Sequence, residues 1–546
     1  MSAVSPGRFA IADFVSPFLL VLLAFLVRAP FFDEPPGRDQ GLFMAQAWQW
    51  LGGSELYSEI WEHKPGGIVA LYGLAIDFGG LRPASIQYLH GLAGAWTALV
   101  LFFLARRAGL LAMPATLAGI FYLVFFGGPL FGGFWATAQV EIFVDSLVAL
   151  ALLLLATGPR PLSAGRSLAL GLVLGVTVFG LKYSCLPLLG LALLAGVPRT
   201  PGSASPRSSF VAILGGFAAV GVLAVLAFTL TGRLADFWQA TVEFNWAHRD
   251  VPAPAAQEAV VSRLFPFFDE LWVLYGLAGW AIVHRAMRGR RGEVRERLVL
   301  CGAVLFAAAL AQVFFQGKFW VYHYHVVLLP LALLAAFGVQ ALAETLARSG
   351  VHTQRATWGL GLISLGLIGA SYGPALDAYV RQHRILERWE GQLSDTAWHE
   401  TYRWGGTDYD YAETVAAAQQ VGRSSSPGDR VFVWGFEPSL YWLAQRTPSS
   451  RFFYDYPLSR RFGEIAARHE MQLLEDLRSN PPAVVVVVAR DANDLESRAS
   501  DQQLEEHPRL TDWIALNFRA RWKLGDFTGY ERIDGEPPSP STPAFP

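Results

Sequence analysis

The sequence predicts a mainly α fold: a polytopic membrane helix bundle of about eleven spans with a long first outer loop, followed by a small C-terminal α/β soluble domain. Three observations predict it. Charge is partitioned: residues 1–374 hold 43 charged residues, about 11%, whereas residues 375–546 hold 45, about 26%. The first part contains repeated apolar runs long enough to cross a bilayer core, which takes about 20 helical residues. After about residue 375 the runs stop, and short strand-like and helix-like segments alternate. The whole chain is 53% hydrophobic and 16% charged, which excludes a soluble globular, disordered or collagen-like protein. A net charge of −2 gives no electrostatic argument for nucleic acid. Cys185 and Cys301 both lie in apolar stretches, so no disulfide framework or cysteine metal motif is present.

The apolar runs fall at 14–32, 84–105, 110–127, 138–157, 209–231, 267–284, 297–316, 323–345 and 355–374. The stretch 167–197 is broken by Lys182 and Pro187 and reads as two short helices meeting near Lys182. The first run has no small-residue cleavage site after it and reads as a retained helix. Orientation follows from Lys and Arg. With a cytoplasmic N-terminus, the inner segments collect Arg106, Arg107, Arg160, Arg166, Arg199, Arg207, Arg348, Arg355 and the cluster from Arg285 to Arg297. That places the C-terminal domain outside the plasma (bacterial inner) membrane. It also makes 66–80, which is apolar but only 15 residues long, a helix lying at the outer interface within a first loop from about 33 to 83.

The chain divides accordingly into a transmembrane domain (1–374), an extracytoplasmic α/β domain (375–535) and a disordered tail (536–546) rich in Pro and Ser. In the α/β domain, 431–434 reads as a buried strand and 437–445 and 459–478 as helices. The five valines within 483–489 form a central strand, 494–519 is helical, and 522–533 closes a hairpin.

The polar residues outside the inner loops carry the functional argument. Ionisable groups in membrane segments are costly and are functional candidates by default. The first loop holds Arg38 and Asp39, then Glu62, His63 and Lys64, beside membrane-parallel apolar helices. Glu141 and Asp145 share one helix face at i,i+4. Lys182 sits between two short helices, and His323 and His325 begin a late span. Fixed charges at headgroup level suit a substrate that is half lipid and half polar.

These segments resemble the polytopic C-superfamily glycosyltransferases that use polyprenyl-phosphate sugars, in particular the protein-mannosyltransferase and aminoarabinose-transferase-like family. The resemblance is carried in order by GRDQG at 37–41, EHKPG at 62–66, LARR at 104–107, VTVFGLKYS at 176–184, QGKFWVYHYHVVLLPLALLAA at 316–336 and PGDRVFVWGFEPSLYWLAQRTPSSRF at 427–452. The chain departs from it at Gly66, where a second Pro is usual, and at Gln40, where the protein-mannosyltransferases carry a second acid.

The resemblance implies an enzyme that transfers a hexosyl or pentosyl group from a polyprenyl-phosphate donor to a lipid, glycan or protein acceptor of the envelope, with inversion. It implies Asp39 as the catalytic base. It implies Lys64 and Lys182, with Arg38, His323 and His325 behind them, as cations for the departing phosphate. Glu141, Asp145, Glu62 and His63 would orient the acceptor or hold a divalent cation, whose use the resemblance leaves open. A lipid-linked glycan flippase or secondary transporter would share the span count. Transporters, however, place ionisable groups near the midplane and show internal repeats, whereas here the charges cluster at the outer rim.

Overall fold

The computed structural model describes residues 11–156, 162–195, 206–251, 260–288, 294–404, 409–493 and 495–533. The 536–546 tail lies outside the described residues. Packing divides the chain into two compact units. The first comprises Met1–Asp33, Ile86–Ala227 and Ala255–Arg381; the second comprises Glu34–Ser85, Phe228–Pro254 and Gln382–Pro546.

The first unit is a helix bundle. All eleven apolar runs are helical, and they fall into two classes. Among the described residues, seven helices are long and apolar enough to cross a membrane: Asp13–Phe31, Pro83–Arg107, Ala164–Leu181, Arg207–Leu230, Val294–Gln316, Val321–Ala347 and Thr353–Gln382. The other four are Ala112–Phe125, Val140–Ala156, Tyr183–Leu194 and Phe268–Arg288. The first of these has 14 residues, about 21 Å of helix at 1.5 Å per residue, which is short of the hydrocarbon core. Phe268–Arg288 is long enough but carries Asp269 and Glu270 in its first turn and Arg285 and Arg288 in its last. The chain is a multi-pass membrane protein. Val321–Ala347 is its core helix, 94% buried within the protein, whereas Arg207–Leu230 is 11% buried. An apolar helix with so little protein around it is solvated by lipid.

The break at Lys182 is present. The helix Ala164–Gly175 widens to a π turn over Val176–Leu181. Lys182 is then extended (φ −159°, ψ 118°), and the chain resumes as a 3₁₀ turn over Tyr183–Leu189. π turns inside helices open the hydrogen-bond ladder and often mark functional sites.

The second unit is built from three separate segments. Its sheet has five strands in the order β4-β3-β5-β7-β6, where β3 is Arg430–Trp434, β4 Thr447–Pro448, β5 Val484–Val488, β6 Phe518–Leu524 and β7 Phe527–Arg532. A separate two-stranded ribbon pairs β1 (Arg403–Trp404) with β2 (Tyr409–Asp410). β5 is central, parallel to β3 and antiparallel to β7. All five of its valines are buried, as expected of a strand covered on both faces. The hairpin turns at Gly525 (φ +51°), a conformation that favours glycine. The next residue, Asp526, donates its N–H to Glu413 Oε2 at 3.1 Å. The region 494–519, expected to be one helix, is two: Ser500–Leu504 and Pro508–Asn517. Pro508 lacks an N–H and fixes φ, so it starts a new helix rather than continuing the old one.

The first loop belongs to this unit. Its helices Arg38–Leu51 and Gly67–Gly79 pack together, and Arg38–Leu51 also packs on Ser439–Ala444. Gly41 is what permits that approach. A Cβ there would lie 3.2 Å from Ser439 Cβ, so the last glycine of GRDQG is needed for close backbone packing. Tyr409 Oη donates to the Pro36 carbonyl at 2.6 Å, and the Trp61 N–H donates to the Arg451 carbonyl at 2.9 Å.

Candidate functional site

Both units contain polar clusters. In the second unit, Pro35-Pro36-Gly37 keeps the chain extended up to the helix Arg38–Leu51, because the residue before a proline is biased away from helix. Gly37 caps the helix with an extended backbone (φ −68°, ψ 178°), and Asp39 falls in the first turn. A carboxylate is favoured there by the helix dipole. Asp39 is half-buried. Its charge bears on the buried hydroxyls of Tyr72 and Tyr454. The Tyr454 phenol is held well above its usual range, first by burial and then by Glu62 and Asp39.

The motif Glu62-His63-Lys64-Pro65 precedes the helix Gly67–Gly79. Glu62 is fully buried. Its Oε1 accepts the Lys64 N–H at 2.9 Å and lies 3.2 Å from His63 Nδ1 and 3.9 Å from Lys64 Nζ. Among the described residues, Glu62 Oε2 is buried with no hydrogen-bond partner. Lys64 Nζ stands 4.8 Å over the Phe43 ring, and Phe43 meets Tyr72 edge-on at 5.4 Å. The Glu34–Ser85 segment and the C-terminal segment therefore bring Asp39, Glu62 and Lys64 around one aromatic group: Phe43, Tyr72 and Tyr454. The segment Phe228–Pro254 braces the loop. Asn245 Nδ2 donates to the His63 carbonyl, and His248 Nδ1 is 2.7 Å from Tyr456 Oη.

Arg38 is engaged differently from the expectation of a cation for the phosphate. It is buried, with Nε 2.9 Å and Nη2 2.8 Å from Glu437 Oε1, between the rings of Tyr409 and Phe436. Glu437 was missed as a functional candidate. Burial pushes its carboxyl up to about 7, against the opposing pull of Arg38. The sequence did contain a signal, a Glu-Pro placed directly after the strand β3 and its Gly435 turn in otherwise apolar surroundings.

In the first unit, Glu141 and Asp145 lie on one face of the helix Val140–Ala156, both buried. Lys182 forms an ion pair with Glu141 Oε1. Among the described residues, Glu141 Oε2 has no hydrogen-bond partner. Asp145 Oδ2 accepts from Tyr122 Oη at 3.1 Å and lies 3.1 Å from His325 Nδ1. The His325 ring is walled by Tyr122, Phe126 and Phe131. His323 is buried against Trp320 and Tyr322. A third polar group was not anticipated. Buried Arg28 donates to the Gly127 carbonyl at 2.6 Å and to Gln87, with Thr137 at 3.4 Å. His90 Nδ1 accepts the Ala138 N–H at 3.3 Å. Arg28 and His90 sit inside the apolar runs 14–32 and 84–105, whose length and hydropathy give no sign of them.

Among the described residues, no group of three or more His, Cys, Asp or Glu is placed to hold a metal ion. Glu141 and Asp145, the i,i+4 pair read as orienting the acceptor or holding a divalent cation, are turned to Lys182 and to Tyr122 and His325 respectively.

No protein-family model matches the sequence, and no curated protein matches it. Solved structures do. The chain is similar to ArnT from Cupriavidus metallidurans bound to undecaprenyl phosphate, with a TM-score of 0.59 and 14% identity over 96% of this chain and 99% of that one. It is similar to the apo state of the same protein, with a TM-score of 0.55 and 14% identity over 95% and 98%. The archaeal oligosaccharyltransferase AglB from Archaeoglobus fulgidus, in complex with an inhibitory peptide and a dolichol-phosphate, matches with a TM-score of 0.45 and 13% identity over 87% and 69%. At such identities the likeness to ArnT is one of fold, and it runs through nearly the whole of both chains. The chain shares the polytopic fold of the ArnT structures.

Proposed function

We propose that the protein is a membrane glycosyltransferase that moves a sugar from a polyprenyl-phosphate donor to an envelope lipid, glycan or protein on the extracytoplasmic face, with inversion at the anomeric carbon. The observation that carries this reading is the assembly of Asp39, Glu62 and Lys64 around Phe43, Tyr72 and Tyr454 within one compact unit. The likeness in fold to a protein solved with bound undecaprenyl phosphate supports it.

Asp39 acts as general base on the acceptor hydroxyl. It takes the proton as the hydroxyl oxygen attacks the anomeric carbon, and the polyprenyl phosphate leaves with the electron pair of the broken C–O bond. Lys64 meets the phosphate charge as that bond breaks. An ammonium on a flexible stem acts as a point charge rather than a bidentate fork, which suits a leaving group that moves. Buried Glu62 positions the Lys64 backbone, and His63 stays with Glu62. Arg38, paired to Glu437, braces the start of the helix that presents Asp39. In the bundle, Lys182 is held by its buried counter-ion Glu141. His325, held by Asp145, and His323 are packed among aromatic rings of the same bundle.

The test is transfer by the full chain in nanodiscs, using a labelled polyprenyl-phosphate sugar and an envelope extract as acceptor. Asp39→Asn is expected to lower turnover by about 10²- to 10⁴-fold, the usual worth of a general base, with folding intact. Near-normal turnover of that variant removes Asp39 as base. Movement of intact donor across the bilayer without loss of its sugar turns the reading to a flippase.

A further inference from the structure

The second unit contains a cavity that the proposed chemistry does not use. Its volume is about 230 Å³, below the ~300–1,000 Å³ of sites for drug-sized ligands and suited to a single sugar ring. It lies between the C-terminal end of the helix Arg38–Leu51, the loop that follows, the edge strand β4 and the end of the helix Glu464–Ser479. Uncharged polar side chains dominate it: Gln49, Ser54, Ser58, Ser449, Ser450 and Asn480.

The charges around it cancel. Arg430 and Arg451 face Glu59 and Asp476. Arg451 grips Asp476 with Nε on Oδ2 and Nη2 on Oδ1, both at 3.0 Å, and Arg430 Nη1 donates to the Pro448 carbonyl at 2.8 Å. With two cations and two anions in its lining, the cavity has no net charge to favour an anionic ligand. An apolar one would bury these hydroxyls and amides without partners, a costly outcome. One group already waits for a partner: Ser449 Oγ, on a residue 1% exposed, has none among the described residues. Its backbone is fixed, because the Ser449 N–H donates to the Val431 carbonyl at 2.9 Å.

We infer that this cavity is a binding site for a neutral, hydroxyl-rich saccharide unit, the remote part of an extended acceptor. The geometry of one helix gives the remoteness. Gln49 lies ten residues after Asp39 on Arg38–Leu51, about 15 Å along the axis at 1.5 Å per residue. A subsite so far from the reacting atoms contributes binding energy that holds the acceptor in place for the chemistry. This role as acceptor subsite rests on the transferase reading; the binding of saccharide does not.

The experiment is saturation-transfer NMR on the full chain in nanodiscs, with mannotriose, chitotriose and cellotriose as probes. Ser58→Trp fills the mouth of the cavity from a half-buried loop position, and Asn480→Ala removes one polar group at its rim. Wild type is expected to saturate at least one trisaccharide. Asn480→Ala should weaken binding about 2- to 10-fold, as for one lost hydrogen bond. Ser58→Trp should abolish it with an unchanged unfolding temperature. Asp39→Asn should keep the full signal. No signal above empty nanodiscs for any probe, or equal signals from wild type and both cavity variants, overturns the inference. A signal that depends on the cavity in a protein that transfers no sugar upholds the site and rejects the transferase reading.

Discussion

The two polar clusters solve opposite problems. In the helix bundle the charges are locked. Glu141 and Asp145 are buried, and each has a dedicated partner, Lys182 for one and Tyr122 with His325 for the other. In the second unit the pairing is looser. Lys64 Nζ is 3.9 Å from Glu62 and rests on an aromatic face, and Asp39 is half-buried at a helix start. A tight buried pair resists exchange of partners, because either charge left alone bears the full desolvation penalty. A cation held at nearly 4 Å can turn to a phosphate at little cost. The difference assigns a structural role to the bundle pairs and chemistry to the first loop.

The strongest way to break that comparison is at Lys182. Lys182→Ala leaves Glu141 buried and uncompensated, and should destabilise the protein by about 3–5 kcal/mol. The double variant Lys182→Ala with Glu141→Gln should recover most of that loss. Thermal unfolding in nanodiscs reads both, and equal losses in the single and double variants would show that the pair is not locked. A smaller effect is expected at Lys64. Lys64→Ala should leave stability within about 1 kcal/mol, since it deletes only a loose pair. It should weaken donor binding by about 10-fold or more, the worth of one hydrogen bond to a charged group. Titration with polyprenyl phosphate measures this.

A further test of the comparison is a pH dependence in the second unit. Burial raises the Glu437 carboxyl from 4.5 to about 7. The folded state therefore holds this proton more tightly than the unfolded chain. The stability that Glu437 contributes is fully present below pH 4.5 and is lost as pH rises through about 7. Asp455, raised from 3.8 to about 7 by burial and then by Asp491, adds a second contribution in a similar window. Glu437→Gln should flatten the stability profile between pH 4.5 and 7 by up to about 1.4 kcal/mol per pH unit, one proton's worth, without abolishing it. An unchanged slope would show that Glu437 does not titrate there.

Much of this was legible in the sequence, for identifiable reasons. Apolar length marks a helix directly, so all eleven runs are helical, although only seven of the described helices are long and apolar enough to cross a membrane. Lys182 with Pro187 marked the break in 167–197, because a charge and a proline both interrupt an apolar helix. Five consecutive valines marked β5 as central. What was hidden depends on contacts between segments distant in the chain. Nothing in GRDQG announces that Arg38 pairs with Glu437, 399 positions later, or that Gly41 is there for Ser439. Arg28 and His90 were passed over because a hydropathy window averages a single polar residue away. The split of 494–519 was missed because Pro508 was not weighed as a helix start.

The central claim is that the first loop divides the work, with Asp39 acting on the acceptor and Lys64 on the donor. Its most direct test measures donor affinity and turnover side by side for Asp39→Asn and Lys64→Ala in the full chain. Asp39→Asn is expected to keep donor affinity within about twofold while turnover collapses, and Lys64→Ala to lose donor affinity. Equal loss of donor binding in both variants, or near-normal turnover of Asp39→Asn, would contradict it.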